Sequence, residues 1–170
     1  YTHASVVYGN DMIIFGGLNS VKKLNDVHFL NLKTFKWTAK NVSGTPPSPR
    51  LSYTQSNNVY GDEMILFGGY DNNRLNDVFT LNLKTFLWTE KTTTGVKPTE
   101  RSSGQTVLYG DELVVFGGYE DDRKRLDDVF MLNLKSFNWE QRFTVGSKPK
   151  EGRGRSDSAL IVYDNKMIRF

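Results

Sequence analysis

Arginine, aspartate and tyrosine recur in this sequence at fixed places, and together they offer binding chemistry. Arg50, Arg101 and Arg155 each follow a proline-containing segment. A guanidinium is a planar fork that can hold a carboxylate through two parallel hydrogen bonds or bond loop carbonyls, and both uses are open at these positions. Asp26, Asp77 and Asp128 recur within Asn-Asp-Val or Asp-Asp-Val. One carboxylate per repeat at a constant place reads as a turn-bonding aspartate rather than a general acid. Tyr70 and Tyr119 directly follow Gly-Gly, where the first copy has Leu18. The fold does not require tyrosine there, and an exposed tyrosine suits recognition; a partly buried loop anchor is the alternative. The segments that follow hold Lys22 in a basic stretch, Arg74 in a mixed one, and Arg123 in the acidic-then-basic run Glu120–Arg125. A charge run is either a solvated turn or a partner contact, because loops on a rigid scaffold often carry function.

Other chemistry is missing from the sequence. Cysteine is absent, which removes disulfides, thiolate metal sites and cysteine nucleophiles from this stretch. His3 and His28 are the only histidines, with no metal-ligand spacing between them. His3 falls where the other copies have Ser103 and Asp157, a structural position. No phosphate-cradling glycine loop, nucleophile elbow or calcium loop occurs. The expectation is a chain without catalytic residues, metal or cofactor. The net charge of +3 is far below a nucleic-acid signature. Gly152-Arg153-Gly154-Arg155 is a single copy, and no aromatic stacking pattern accompanies it. An acidic protein segment is therefore the expected partner, with no nucleic acid. No apolar run approaches 18 residues, so no membrane insertion is expected. The lack of cysteine fits a reducing compartment, and a cytoplasmic location is expected.

The elements that position these groups are repeats. Tryptophan occurs only at Trp37, Trp88 and Trp139, 51 residues apart each time. Phe-Gly-Gly begins at Phe15, Phe67 and Phe116, and Leu-Asn-Leu-Lys-Thr/Ser-Phe at Leu30, Leu81 and Leu132. Cutting at the arginines gives repeats 1–49, 50–100 and 101–154 and the start of another at 155–170. Each repeat reads as four short strands. Strand a is Ala4–Tyr8, Thr54–Tyr60, Gln105–Tyr109 or Ala159–Tyr163. Strand b is Met12–Phe15, Met64–Phe67, Leu113–Phe116 or Met167–Phe170, apolar on both faces and ended by Gly-Gly. Strand c is Val27–Leu30, Val78–Leu81 or Val129–Leu132. Strand d carries the tryptophan, with Phe35, Phe86 or Phe137 two residues earlier on the same face. Four antiparallel strands per roughly 50 residues, with aromatics inside each unit, describe a propeller blade.

The Gly-Gly, the Asp-Val before strand c, the tryptophan of strand d and the returning arginine resemble the kelch repeat. Leu-Asn-Asp-Val and Gly-x-x-Pro-x-x-Arg are similar to its long-repeat subgroup, which includes host cell factor, Rab-effector kelch and cell-end polarity proteins. The resemblance spans the chain and implies an all-β, partial kelch-type β-propeller of three blades plus two strands of a fourth. A ring takes about 4–8 blades, so the remaining blades are expected from a longer chain. The resemblance also implies that Arg50, Arg101 and Arg155 line one end of the ring, on the side of Tyr70 and Tyr119. In some kelch propellers such arginines grip carboxylates of a partner peptide. The implied function is a non-enzymatic protein-interaction scaffold that binds through this loop face. The alternative is a structural component of a cytoskeletal or ciliary assembly. A metal-dependent kelch-like enzyme is the weakest reading: the copper radical oxidases need a Tyr–Cys crosslink and the iron-dependent specifier proteins need Glu-x-x-x-Asp-x-x-x-His, and this sequence has neither.

Overall fold

A computed structural model describes residues 2–51, 58–146, 160–163 and 166–169, and no helix occurs among them. The first blade is an antiparallel sheet of β1 (Ala4–Tyr8), β2 (Asp11–Leu18), β3 (Lys23–Asn31) and β4 (Trp37–Ala39), in chain order. The linker strand β5 (Ser43–Gly44) follows. The second blade holds β6 (Val59–Tyr60), β7 (Glu63–Tyr70), β8 (Arg74–Asn82) and β9 (Leu87–Glu90). Next comes the linker strand β10 (Thr94–Gly95). The third blade holds β11 (Gln105–Tyr109), β12 (Glu112–Tyr119), β13 (Arg125–Asn133) and β14 (Asn138–Arg142). β15 (Leu160–Tyr163) and β16 (Lys166–Arg169) form a two-stranded antiparallel pair. These are partial propeller blades, as the repeats imply. Residues 54–57 of the second strand a, like Ala159 and Phe170 of the last repeat, lie outside the described residues.

Three expected details differ. The glycine pair does not end strand b. β2 runs through Gly16-Gly17 to Leu18, with a register shift between Phe15 and Gly17. The two glycines take φ of 62° and 92°, and the other Phe-Gly-Gly copies repeat this bulge. A bulge re-aims a strand without stopping it, and only glycine takes two such angles cheaply. The second difference is Phe35, Phe86 and Phe137, which sit in the c–d turn rather than on strand d. Their φ values are 53°, 58° and 54°, and each N–H donates to the carbonyl of Asn31, Asn82 or Asn133. The asparagine side chains accept the next turn N–H groups, at Lys33 and Thr34 in the first copy, so the turn is closed by local polar bonds.

The third difference is where the core lies. Sheets with two apolar faces cannot bury both alone, so the core forms between blades. One cluster joins Ile13, Phe15, Val27 and Phe29 of the first blade to Met64, Leu66, Phe79, Leu81 and Trp88 of the second. Another joins Ile65, Phe67 and Val78 to Leu113, Val115, Phe130, Leu132 and Trp139. Trp88 meets Phe15 at a 4.8 Å centroid distance and Trp139 meets Phe67 at 5.1 Å. Trp88 and Trp139 are each 1% exposed, but Trp37 is 51% exposed. The sequence repeats the indole; its burial depends on a neighbouring blade.

Each seam is fastened at both ends as well. At the loop end, the main chain of Arg50 belongs to the first blade: its N–H donates to Leu24 O, and its own carbonyl accepts from Gly17 N. Its side chain crosses into the second blade. There Nη1 and Nη2 hold Asp77 at 2.6 and 3.0 Å, and Nη1 also donates to Gly68 O. Arg101 repeats this on Asp128 at 2.7 and 3.0 Å and on Gly117 O. The guanidiniums lie over Phe79 and Phe130, each 5.4 Å from the ring centre. At the turn end, Tyr8 Oη donates to Asp62, which also accepts from Lys84 Nζ at 2.7 Å. Tyr60, Asp111 and Lys135 repeat this latch. The linker strands add a third fastening: β5 pairs in parallel with β9, and β10 with β14. A Cβ on Gly44 or Gly95 would overlap the carbonyl oxygen of Trp88 or Trp139.

Three outcomes follow from these seams. Trp139→Ala removes a fully buried plate and is expected to cost about 3–5 kcal/mol in denaturant unfolding, whereas Trp37→Ala is expected to stay within about 1 kcal/mol; equal losses would refute a core held between blades. Arg101→Ala leaves Asp128 without its partner and is expected to cost about 3 kcal/mol, read as a lower melting temperature. An Arg101→Ala protein that melts normally would show that the fork is not structural. Asp62 is held below the ordinary carboxylate range by bonds from Lys84, then Tyr8; Asp111 is held down by Lys135, then Tyr60. A depressed folded value means that this stabilisation is complete above the unfolded carboxylate value and is lost as pH falls through the folded one. Melting temperature should therefore decline below about pH 4, and the Asp62→Asn, Asp111→Asn double variant should show a flatter acid limb. An unchanged limb would remove the latches from the account.

Candidate partner-binding face

The b–c loops of the three blades, 19–22, 71–73 and 120–124, lie at the arginine end of the seams. Each is stiffened by one side chain. Asn19 Oδ1 accepts from the N–H groups of Val21 and Lys22, Asp71 Oδ1 from Asn73, and Asp121 Oδ1 from Arg123 and Lys124. Such Asx turns close a loop on its own backbone. The N–H bonds from Arg123 and Lys124 hold Asp121 below the ordinary carboxylate range. At Asp71, burial pushes the carboxyl up, but the Asn73 N–H, the Ser48 hydroxyl and the charges of Arg50 and Lys23 outweigh it, and the net shift is downward.

Adjacent loops are tied across the seams. Lys23 Nζ donates to Asp71 O at 2.5 Å and to Asn72 Oδ1 at 2.7 Å. One repeat on, Arg74 Nη2 pairs with Asp122 Oδ1 at 2.6 Å. Lys23, Arg74 and Arg125 open strand c in the three blades, so this is a repeated contact. Arg74 therefore spends one nitrogen on the neighbouring loop, although Asp122 itself is almost wholly exposed.

The tyrosines end strand b rather than starting the loop. Tyr70 exchanges two backbone hydrogen bonds with Leu51, and Tyr119 does the same with Ser102. Both are half-buried. Lys23 Nζ stands 5.1 Å from the centre of the Tyr70 ring and the Arg74 guanidinium 5.9 Å. Arg125 lies 5.3 Å from the Tyr119 ring, and its Nε donates to the Tyr119 hydroxyl at 3.3 Å. Each ring is thus a platform for cations of its own face.

Between the first two loops lies a cleft of about 510 Å³. Leu18, Val21 and Pro49 supply apolar lining, Lys22 and Lys23 charge, and Ser48 and Asp71 hydrogen bonds. Val21 is 88% exposed at its rim. Lys22 and Arg123 are exposed at the loop tips.

Arg50 and Arg101 are 3% and 0% exposed, and internal carboxylates occupy their forks. The expectation that they grip a partner's carboxylate is therefore replaced by a seam role. The reason is that Asp77 and Asp128 are not turn-bonding aspartates, as expected, but the partners of the arginines. Arg155 lies outside the described residues. Of the expected site residues, Tyr70, Lys22 and Arg74 meet around the first two loops, while Tyr119 and Arg123 stand on the third. Lys23, Ser48 and Asp71 were not singled out from the sequence. The strand-c basic position recurring at 23, 74 and 125 was the available signal for Lys23. Among the described residues, no three His, Cys, Asp or Glu side chains converge as a metal site would require.

A family model of the KLHDC2/KLHL20/DRC7 kelch-repeats domain matches residues 1–170. The leucine-zipper-like transcriptional regulator 1 homolog of Drosophila melanogaster is 35% identical over 156 residues, covering 86% of this chain and 16% of that protein. Tip elongation aberrant protein 1 of Schizosaccharomyces pombe is 30% identical over 184 residues, covering 100% of this chain and 16% of that protein. Host cell factor 2 of Homo sapiens is 31% identical over 192 residues, covering 99% of this chain and 24% of that protein. The chain thus spans a quarter or less of the length of these relatives. With its repeated bulges, seam tryptophans and arginine forks, and with a family match along its length, the chain belongs to the kelch-repeat family.

Proposed function

We propose that this chain is a non-enzymatic protein-interaction scaffold whose b–c loop face captures a partner. The observation that carries this reading is a contrast between two sets of residues. Side chains that fasten the seams are the same in successive blades, whereas the stiffened loops beside one another at one end differ in length and charge. Rigid scaffolds with dissimilar loops are suited to recognition, because little ordering entropy remains to oppose binding.

The partner is a protein segment with carboxylates and at least one apolar side chain. The Lys22 ammonium and the guanidinium of Arg123 meet its carboxylates at the loop tips. Arg74 and the ring of Tyr70 stand beside the second loop, and Tyr119 gives the equivalent surface on the third blade. Leu18, Val21 and Pro49 take the apolar side chain. Arg50 and Arg101 support this face from below and do not touch the partner.

Panning a random peptide display library against the chain tests this. The selected peptides should be acidic and carry an aliphatic or aromatic residue. Lys22→Glu with Arg123→Glu should weaken them by about tenfold or more at low salt, with the melting temperature unchanged because both positions are exposed. A selection without acidic bias, or binding that ignores the double variant, would refute the proposed face.

A further inference from the structure

The linkers 43–50 and 94–101 share their scaffold residues. Gly44 and Gly95, Pro47 and Pro98, and Arg50 and Arg101 fall at matching places. So do the hydroxyls of Ser48 and Thr99, which accept from Nη2 of Arg50 at 3.0 Å and of Arg101 at 3.3 Å. The residues between them differ. Pro46 and Pro49 stand where the second linker has Lys97 and Glu100, so a seam closes without either proline. They make residues 45–50 Thr-Pro-Pro-Ser-Pro-Arg, and in the whole sequence a hydroxyl residue precedes proline only at Thr45 and Ser48.

Ser48 also belongs to the cleft. Its hydroxyl donates to Asp71 Oδ2 at 2.8 Å, and it shares the lining with Lys22 and Lys23. It is half-buried, with Pro46 and Pro49 exposed on either side. The main chain is fixed at the two ends of this stretch, where Thr45 N–H donates to Trp88 O and Arg50 N–H to Leu24 O. Between those ends, no main-chain group of 46–49 bonds another main-chain group among the described residues. Proline has no N–H to offer at three of the four places. Besides the bonds of the hydroxyl, two side-chain bonds hold the stretch: Asn25 Nδ2 to Pro47 O at 3.4 Å and Arg50 Nε to Ser48 O at 3.2 Å. A stretch held in this way opens locally at less cost than the β-ladders around it.

We infer that Ser48 is a phosphorylation site for a proline-directed protein kinase and that its phosphate closes the cleft to an acidic segment; the closure rests on the loop face being the one that captures the partner. A kinase grips its substrate extended, and a pocket without an acceptor for the next N–H leaves that group unpaired in every residue but proline. Pro49 meets this requirement, and Pro46 and Pro47 preset the extended approach. In the transfer, Ser48 Oγ attacks the γ-phosphorus of ATP. The Oγ–P bond forms, the bond from that phosphorus to the β,γ-bridging oxygen breaks, ADP leaves with the electron pair, and the hydroxyl proton passes to the kinase's base. Ser48 is favoured over Thr45, because Thr45 directly follows Gly44, which is packed against the carbonyl of Trp88, and is itself bonded there. The product carries about 1.5–2 negative charges near pH 7. They fall among Lys22, Lys23 and Arg50, which they attract, and beside Asp71, which they repel. A partner carboxylate then meets a filled, anionic cleft.

The probe is a recombinant mitogen-activated protein kinase with MgATP, acting on the chain and on a free peptide of residues 41–52, with sites mapped by fragmentation mass spectrometry. Phosphate is expected at Ser48 in both, more slowly in the chain because the linker must open first. Pro49→Glu installs the residue of the second linker and is expected to slow the transfer about tenfold or more, with the melting temperature preserved. Ser48→Thr installs the hydroxyl of Thr99 and is expected to keep it. The phosphorylated chain is expected to bind the selected acidic peptides about tenfold or more weakly, and phosphatase treatment to restore their affinity. The site is overturned if the peptide takes no phosphate, if the peptide takes it and the chain does not, or if it falls on Thr45 alone. The closure is overturned if full phosphorylation of Ser48 leaves peptide affinity unchanged. Mapping needs no partner, so its failure leaves the proposed face standing, whereas acidic peptides that ignore the unmodified chain refute that face and not the mapped site.

Discussion

The central constraint in this molecule is that each four-stranded sheet has two apolar faces and no means of covering both. Everything else answers it. Trp88 and Trp139 are buried because they lie on the preceding blade's Phe15 and Phe67. The arginine forks and tyrosine latches sit at the two rims of that contact, where polar groups complete what the aromatic plates begin. The desolvation of a buried guanidinium is offset here by a bidentate carboxylate, a carbonyl and an aromatic face together. One partner alone would not suffice.

The legibility of this arrangement in the sequence was uneven, for physical reasons. A 51-residue spacing of tryptophan and Asp-Val, with Phe-Gly-Gly recurring once in each repeat, marks the blades, because each blade needs the same side chains at the same seam. Identity between copies, however, carries no information about neighbours. Trp37 is the same residue as Trp88 and still half exposed, since no blade lies against it among the described residues. The arginines and aspartates are two periodic sets, and periodicity does not say which member pairs with which. Arg50 finds its carboxylate 27 residues ahead, in the next blade. The glycine pair reads as a strand end because glycine breaks pattern, but a bulge uses glycine to continue a strand.

The candidate face was legible as a set of dissimilar loops and opaque as a surface. Lys23 and Asp71, like Arg74 and Asp122, stand 48 residues apart and meet only when blades are placed side by side. Those ties consume part of the charge that the loop sequences carry. What remains for a partner is narrower than the composition suggests: two loop-tip cations, two tyrosine platforms and a small mixed cleft.

The linkers also bear on how such a molecule can lengthen. Because Gly44 and Arg50 of one linker are both built into the blade that follows, a sheet is not a self-contained brick. The transferable unit is one whole repeat, cut between equivalent positions whatever its starting phase, since Gly44 and Gly95, like Arg50 and Arg101, then exchange places. A genetic duplication with breakpoints at arbitrary but matching positions restores every fastening at the new junction. Rings of this type can thus gain members by unequal crossing-over without inventing a single new contact.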